Sequence, residues 1–156
     1  MIRLITPDDW EACARVRLAA LRTDPGCFGS RLEREESFGE RTWRLRLSGS
    51  PWWLAGDPGV GIVGGLAEPG APLTERHLTG LWVAPGSRRQ GLARELVATV
   101  ADWARAEGAQ QLTAWVPTDL VAATALFDAV GARATGERTV LPRDPARSEE
   151  RWALEL

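Results

Sequence analysis

Hydrophobic positions along this chain change period several times, and each change marks an element. Ile2-Arg3-Leu4-Ile5 alternates weakly, as a half-buried strand does. Thr6-Pro7-Asp8-Asp9 then has the chemistry of a helix start: Thr6 can cap, Pro7 fits the first helical position, and Asp9 stands three residues on. Trp10, Cys13, Val16, Leu18 and Leu21 give a broad apolar helix face, which Asp24-Pro25-Gly26 stops. Phe28 to Leu47 reads as a loop and a second helix, with Phe38, Trp43 and Leu47 buried and Glu33-Arg34-Glu35-Glu36 as its polar face. After the break Ser48-Gly49-Ser50-Pro51, Trp52-Trp53-Leu54-Ala55 predicts a strand. Gly56-Asp57-Pro58-Gly59 turns it back into Val60 to Ala67, where glycines weaken the strand or mark bulges.

A central strand is expected from Arg76 to Val83. Pro85 ends it because proline has no N–H to give a ladder, and Pro85-Gly86-Ser87 is turn chemistry. A helix then begins near Gly91, with Leu92, Leu96, Val97, Val100 and Trp103 on one stripe and Arg94, Glu95, Asp102 and Arg105 on the other. Gln111 to Val116 is the next strand and Asp119 to Val130 the next helix, closed by Gly131. Ala132 to Leu141 and Arg151 to Leu156 predict a final antiparallel pair, connected through Pro142-Arg143-Asp144-Pro145. With no internal repeat and 156 residues, one domain spanning 1–156 is expected.

Charge narrows the choice of partners. A net charge of -2, with acidic and basic residues interleaved, gives no general attraction to nucleic acid or to a membrane surface. Met1-Ile2-Arg3-Leu4 lacks an apolar signal core and no apolar run reaches membrane-spanning length, so a cytoplasmic protein is expected. Cys13 and Cys27 are too few for a disulfide framework, and with His77 as the single histidine no metal site is expected.

The turn from Ala84 to Arg94 has the chemistry of a phosphate cradle. N–H groups at a helix start have no intrahelical partner, and the peptide dipoles place partial positive charge there. Gly91 permits close approach, while Arg88, Arg89 and Arg94 add forked donors that match phosphate oxygens. A Walker loop needs Gly-Lys-Ser/Thr, and this chain has no lysine. The order Arg88-x-x-Gly91-x-Ala93, after a strand ending Leu81-Trp82-Val83, resembles the acetyl-CoA signature of the GNAT superfamily of N-acetyltransferases. Ala123-x-x-Leu126-Phe127-x-x-x-Gly131 resembles that family's next helix and its exit, and the upstream element order agrees.

The resemblance implies an α/β (α+β) fold: a mixed, mostly antiparallel central sheet with helices on both faces, in the order β-α-α-β-β-β-α-β-α-β-β. A parallel strand pair at its centre would splay apart. It implies acetyl-CoA as co-substrate, held by Leu81, Trp82, Val83, Arg88, Arg89, Gln90, Gly91, Leu92, Ala93, Arg94 and Phe127. The acceptor would be a small-molecule or peptide amine, attacking directly in a ternary complex. The Leu81 N–H is the candidate oxyanion donor. His77, with an ordinary imidazole pKa near 6.5, is the leading candidate base, and Glu33, Glu35, Glu36, Glu68 and Glu75 are alternatives. Phe127 stands where many relatives carry a tyrosine that protonates the leaving thiolate, and this chain has no tyrosine. Leu120 stands where many place a cofactor-contacting asparagine, and Trp115 where some place a catalytic glutamate. These departures keep a second reading open, a catalytically weak or non-catalytic acyl-CoA-binding domain. Trp52-Trp53 cannot both face one side of a regular strand, so an edge, an acceptor wall and a homodimer contact are all open to them.

Overall fold

The computed structural model describes residues 1–156. Seven strands form one sheet in the order β1-β2-β3-β4-β5-β7-β6. In chain order they are β1 (Ile2–Ile5), β2 (Trp52–Ala55), β3 (Gly61–Leu66), β4 (Glu75–Val83), β5 (Gln111–Pro117), β6 (Arg133–Leu141) and β7 (Asp144–Glu155). The helices are α1 (Trp10–Thr23), α2 (Leu32–Glu36), α3 (Glu40–Gly49), α4 (Leu92–Ala106) and α5 (Val121–Ala129). All strand pairs are antiparallel except β4 with β5, so the expected mixed sheet with a parallel pair at its centre is what forms. No helix is long and apolar enough to cross a membrane.

Each sheet face buries its own core. On one face α4 lays Leu96, Val97 and Val100 against Trp53, Val63, Leu78, Leu112 and Ala114. On the other, Cys13, Val16, Ala20 and Leu21 of α1 join Trp43, Leu47, Trp52, Ile62 and Trp82. Adjacent residues of one strand therefore feed different cores, and Trp52 and Trp53 are both buried, at 6% and 7% exposure. The conflict expected for this pair disappears because the sheet is covered on both sides.

Two segments differ from the sequence reading. The span expected as one helix before β2 is two, α2 and α3, broken around Ser37, where the Phe38 N–H bonds back to Glu35 O. Glu35, expected on a polar face, is 1% exposed. Strand β7 begins at Asp144, seven residues earlier than expected, because its first half pairs with β6 beyond the end of β5. The expected connection thus shrinks to Pro142 and Arg143.

A bulge in β4 sets the geometry at the centre. Gly64 pairs with Thr79 and Ile62 with Trp82, so two β4 residues, Gly80 and Leu81, stand opposite Val63 alone. Gly80 has φ +65°, in the left-handed region. The extra residue reverses the alternation: Leu78 belongs to the α4-side core and Trp82, four residues on, to the α1-side core.

Candidate functional site

Strands β4 and β5 pair only from Glu75 to His77 against Gln111 to Thr113. Beyond that rung they part, and a cavity of about 460 Å³ opens between them. Its walls are residues 78–81 of β4, residues 114–117 of β5, Leu126 and Phe127 of α5, and side chains from α1 to α3. It therefore reaches both faces of the sheet. The strand pair expected from the sequence forks at this cavity, while residues 84–94 of the α4 turn lie outside its lining.

On the α4 side, Gly91 is the N-cap of α4 with φ +83° and ψ 0°, and a Cβ there would meet nothing within 4 Å. Arg89 also lies in the left-handed region, at φ 64°. The chain thus coils into an open turn, and the first-turn N–H groups of Leu92, Ala93 and Arg94 have no acceptor inside the helix. Arg89, Gln90 and Arg94 are exposed there. Arg88 behaves differently from the expectation for a phosphate ligand. Its Nε donates to Val83 O at 2.8 Å and its Nη2 to Asp24 Oδ2 at 2.6 Å. Asp24 also accepts from Trp82 Nε1 at 2.8 Å. Arg88 and the Trp82 side chain therefore tie the turn to the end of α1, because a strong carboxylate acceptor lies within reach of both. Leu81 packs against the α4-side core, and Val83 is buried in it. Phe127 is 7% exposed, lines the cavity and sits 6.3 Å from the Trp152 ring.

His77 lies at the fork of the two strands. It is 7% exposed, and it faces the α1 side because its neighbour Leu78 faces the other. Its Nδ1 is 2.8 Å from Thr113 Oγ1 and 3.5 Å from Glu68 Oε1. Arg151 Nη2 donates to both of those oxygens, at 3.0 Å and 2.6 Å. The Thr113 hydroxyl also lies 3.4 Å from Arg76 O, and Glu68 Oε1, which can only accept, is 3.5 Å from Nδ1, so the neighbours favour the tautomer with its proton on Nδ1. Nε2 is then the bare nitrogen. Burial pushes the His77 pKa down to about 4, Glu68 opposing the shift and Arg151 adding to it. The imidazole pKa near 6.5 expected from the sequence is not the value in this environment.

Among the alternative carboxylates, Glu35 is fully engaged. Arg17 grips it with Nε on Oε1 and Nη2 on Oε2, both at 3.0 Å, and Arg46 Nη1 adds a bond of 2.8 Å to Oε1. Burial alone would raise its pKa, but the bonds from Arg17 and then Arg46 outweigh that and hold it at about 2. Glu35 is thus a fixed anion and no base. Glu68 and Glu75 face Arg151 at 2.6 Å and 3.7 Å, while Glu33 and Glu36 are exposed and outside the cavity wall. Sequence reasoning missed Glu149. It sits on β7 opposite Pro117, lines the cavity, and has its pKa raised by burial. Alternation of Glu149 with Arg151, both on the face shared with Trp115, is the signal that could have found it. Leu120 and Trp115 also line the cavity. No group of three or more His, Cys, Asp or Glu is placed to hold a metal ion.

Known proteins share this fold. A structure from Streptococcus pneumoniae described as an acetyltransferase of the GNAT family superposes with a TM-score of 0.81 at 17% identity, covering 100% of this chain and 99% of that one. The yncA protein of Salmonella typhimurium, solved with its cofactor acetyl-CoA, gives 0.73 at 18% identity, covering 100% and 93%. At these identities the likeness is one of fold. Human N-acetyltransferase 8 is 36% identical over 97 residues, 60% of this chain and 43% of that protein, so the chain spans less than half of that relative's length. The family model described as "Acetyltransferase (GNAT) family" matches residues 15–132, most of the sheet with its fork and the α4 turn, and the chain belongs to the GNAT acetyltransferase family.

Proposed function

We propose that the protein moves the acetyl group of acetyl-CoA to a primary amine by direct attack, the two substrates meeting at the gap between β4 and β5. The observation that carries this reading is the parting of the strands after three rungs, which leaves two main-chain edges facing a cavity open to both sheet faces. A chain of amides can take the place of the missing neighbour by strand addition, with affinity drawn from main-chain groups. The residues fit such a co-substrate. Gly91 keeps the α4 turn clear, the N–H groups of Leu92, Ala93 and Arg94 with the charges of Arg89 and Arg94 suit a pyrophosphate, and Leu81 lines the gap with Trp82 and Val83 next on the same strand, the Val83 carbonyl being taken by Arg88. Arg88 serves by holding the turn. Phe127 offers an apolar wall.

Acetyl-CoA would supply the acetyl group as an activated thioester. The acceptor nitrogen forms the new C–N bond as the C–S bond breaks, and the thiolate leaves as CoA. A β4 N–H at the bulge, that of Leu81, would stabilise the charge developing on the carbonyl oxygen, an effect worth about 3 kcal/mol or more. The ammonium must first lose a proton. Glu149 lines the cavity with no side-chain bond to another residue and has its pKa raised by burial, whereas His77 is held by Thr113 and has its pKa lowered by burial. We assign the proton to Glu149 and a neutral, orienting role to His77.

Release of free CoA across an amine library tests the reading. Amine-dependent release that falls about 10²-fold in Glu149→Gln agrees with it. No release with any amine, while calorimetry still shows acetyl-CoA binding, replaces it with an acyl-CoA-binding domain.

A further inference from the structure

The α1-side half of the cavity holds two buried donors that have no hydrogen-bond partner in the protein, Arg17 Nη1 and Trp52 Nε1. Arg17 is 7% exposed and Trp52 6%, and both side chains line the cavity. An unmet buried donor costs about 1–3 kcal/mol, and native structures leave few of them. Glu35 serves neither donor: its bonds run to Arg17 Nε and Nη2 and to Arg46 Nη1, while Arg17 Nη1 and Trp52 Nε1 reach no acceptor.

The backbone around these donors is shaped to admit them. A Cβ on Gly80 would come within 2.8 Å of the Trp52 ring and 3.5 Å of Arg17 Nη1. A Cβ on Gly64 would meet the same ring at 2.8 Å. The indole is thus seated between two glycines, and Arg17 reaches the β4 bulge where the strands part. Arg17, Arg34 and Arg46 line the cavity against the two carboxylates of Glu35 and Glu149, a surplus of positive charge. Glu149 stands on the opposite wall, on β7.

We propose that the acceptor is an amine that also carries a carboxylate, an amino acid or a molecule with that skeleton, and that Arg17 Nη1 and Trp52 Nε1 hold the carboxylate. Two unpaired donors beside surplus positive charge call for an anionic acceptor group. The Glu149 wall suits the opposite end of the same molecule, its ammonium. This inference rests on the amine-acetylation reading, and it names the substrate class of that site.

Calorimetry on the full chain tests it without requiring turnover. The probes are N-acetyl-L-leucine and its decarboxylated counterpart N-isoamylacetamide, alongside leucine and isoamylamine. The carboxylate member of each pair is expected to bind at least about tenfold more tightly, the scale of one or two charge-assisted bonds. Arg17→Gln strips Glu35 of its main partner and risks the fold, so the informative variant is Trp52→Phe, which keeps a ring between Gly64 and Gly80 and deletes the N–H. It should narrow the gap about fivefold while its melting temperature stays close to that of the parent. Equal affinity within each pair, failure of both carboxylates to bind, or an unchanged gap in folded Trp52→Phe overturns the inference. CoA release with unselective amines in those cases leaves the acetyltransferase reading standing, whereas carboxylate binding without any CoA release removes that reading and leaves this site.

Discussion

His77 and Thr113 share the last rung at which β4 and β5 pair, with His77 Nδ1 2.8 Å from Thr113 Oγ1. Its neighbours favour the Nδ1–H tautomer and burial keeps the ring neutral, its pKa standing at about 4. Because this is the only histidine, its nitrogen resonances need no assignment. They are expected to report a neutral ring with the proton on Nδ1 from pH 8 down to pH 5. A protonation midpoint near 6.5 in the folded protein contradicts this.

Stability should carry the same signature. The unfolded chain takes up a proton on His77 near pH 6.5, and the folded chain only near 4. Between those values the unfolded state binds more protons, so stability falls as the pH is lowered and is unaffected by this group above 6.5. The effect is on the order of 3 kcal/mol by pH 4. Urea unfolding of His77→Gln should show a shallower loss across that window than the parent, and parallel curves count against the burial argument.

Glu35→Ala leaves the buried Arg17 and the half-buried Arg46 without their anion. A loss of about 3–5 kcal/mol is expected, read from chemical denaturation. A change within about 0.5 kcal/mol would mean that Glu35 behaves as the solvated helix face its sequence suggests. Its folded pKa of about 2 also predicts stability that is present above pH 4.5 and lost as the pH falls toward 2.

At Gly91, two substitutions separate strain from ligand exclusion. Any L-residue at φ +83° costs roughly 1–2 kcal/mol of stability. Gly91→Ala puts a methyl into open space and should lower the melting temperature with little effect on CoA affinity. Gly91→Glu carries the same backbone cost and adds a negative charge at the helix start, so calorimetry should show CoA binding abolished. Equal affinity in the two variants would move the pyrophosphate elsewhere.

Phe127→Tyr adds one hydroxyl to the cavity wall. Turnover is expected to rise, because a hydroxyl there could protonate the departing thiolate, with the melting temperature nearly unchanged. A fall in turnover with the fold intact would indicate that the site needs an apolar wall at this position.

Much of this was readable in the chain because the signals were local. The α4 pattern and its start at Gly91, the strands from Trp52 to Val83, and the fork implied by the family resemblance all depend on neighbours within a few residues. What stayed hidden depends on distant partners. Glu33-Arg34-Glu35-Glu36 looks solvated until Arg17 and Arg46, on other helices, close on Glu35. Arg88 looks free until Asp24 arrives at the end of α1. Glu149 was lost for a different reason: Pro145 suggested a connection, and only pairing with β6 shows that the strand starts before it.

The extra residue at Gly80 also makes β4 a matter of counting. Segments on either side of it are out of phase, so removing one residue there would send Trp82 into the α4-side layer, away from Asp24, and bring Val83 across in exchange. Conservative replacements along this strand disturb one contact at a time, whereas a single-codon deletion would exchange the occupants of both layers at once. Chain length between Leu78 and Trp82 is therefore a stricter requirement than the identity of any side chain between them.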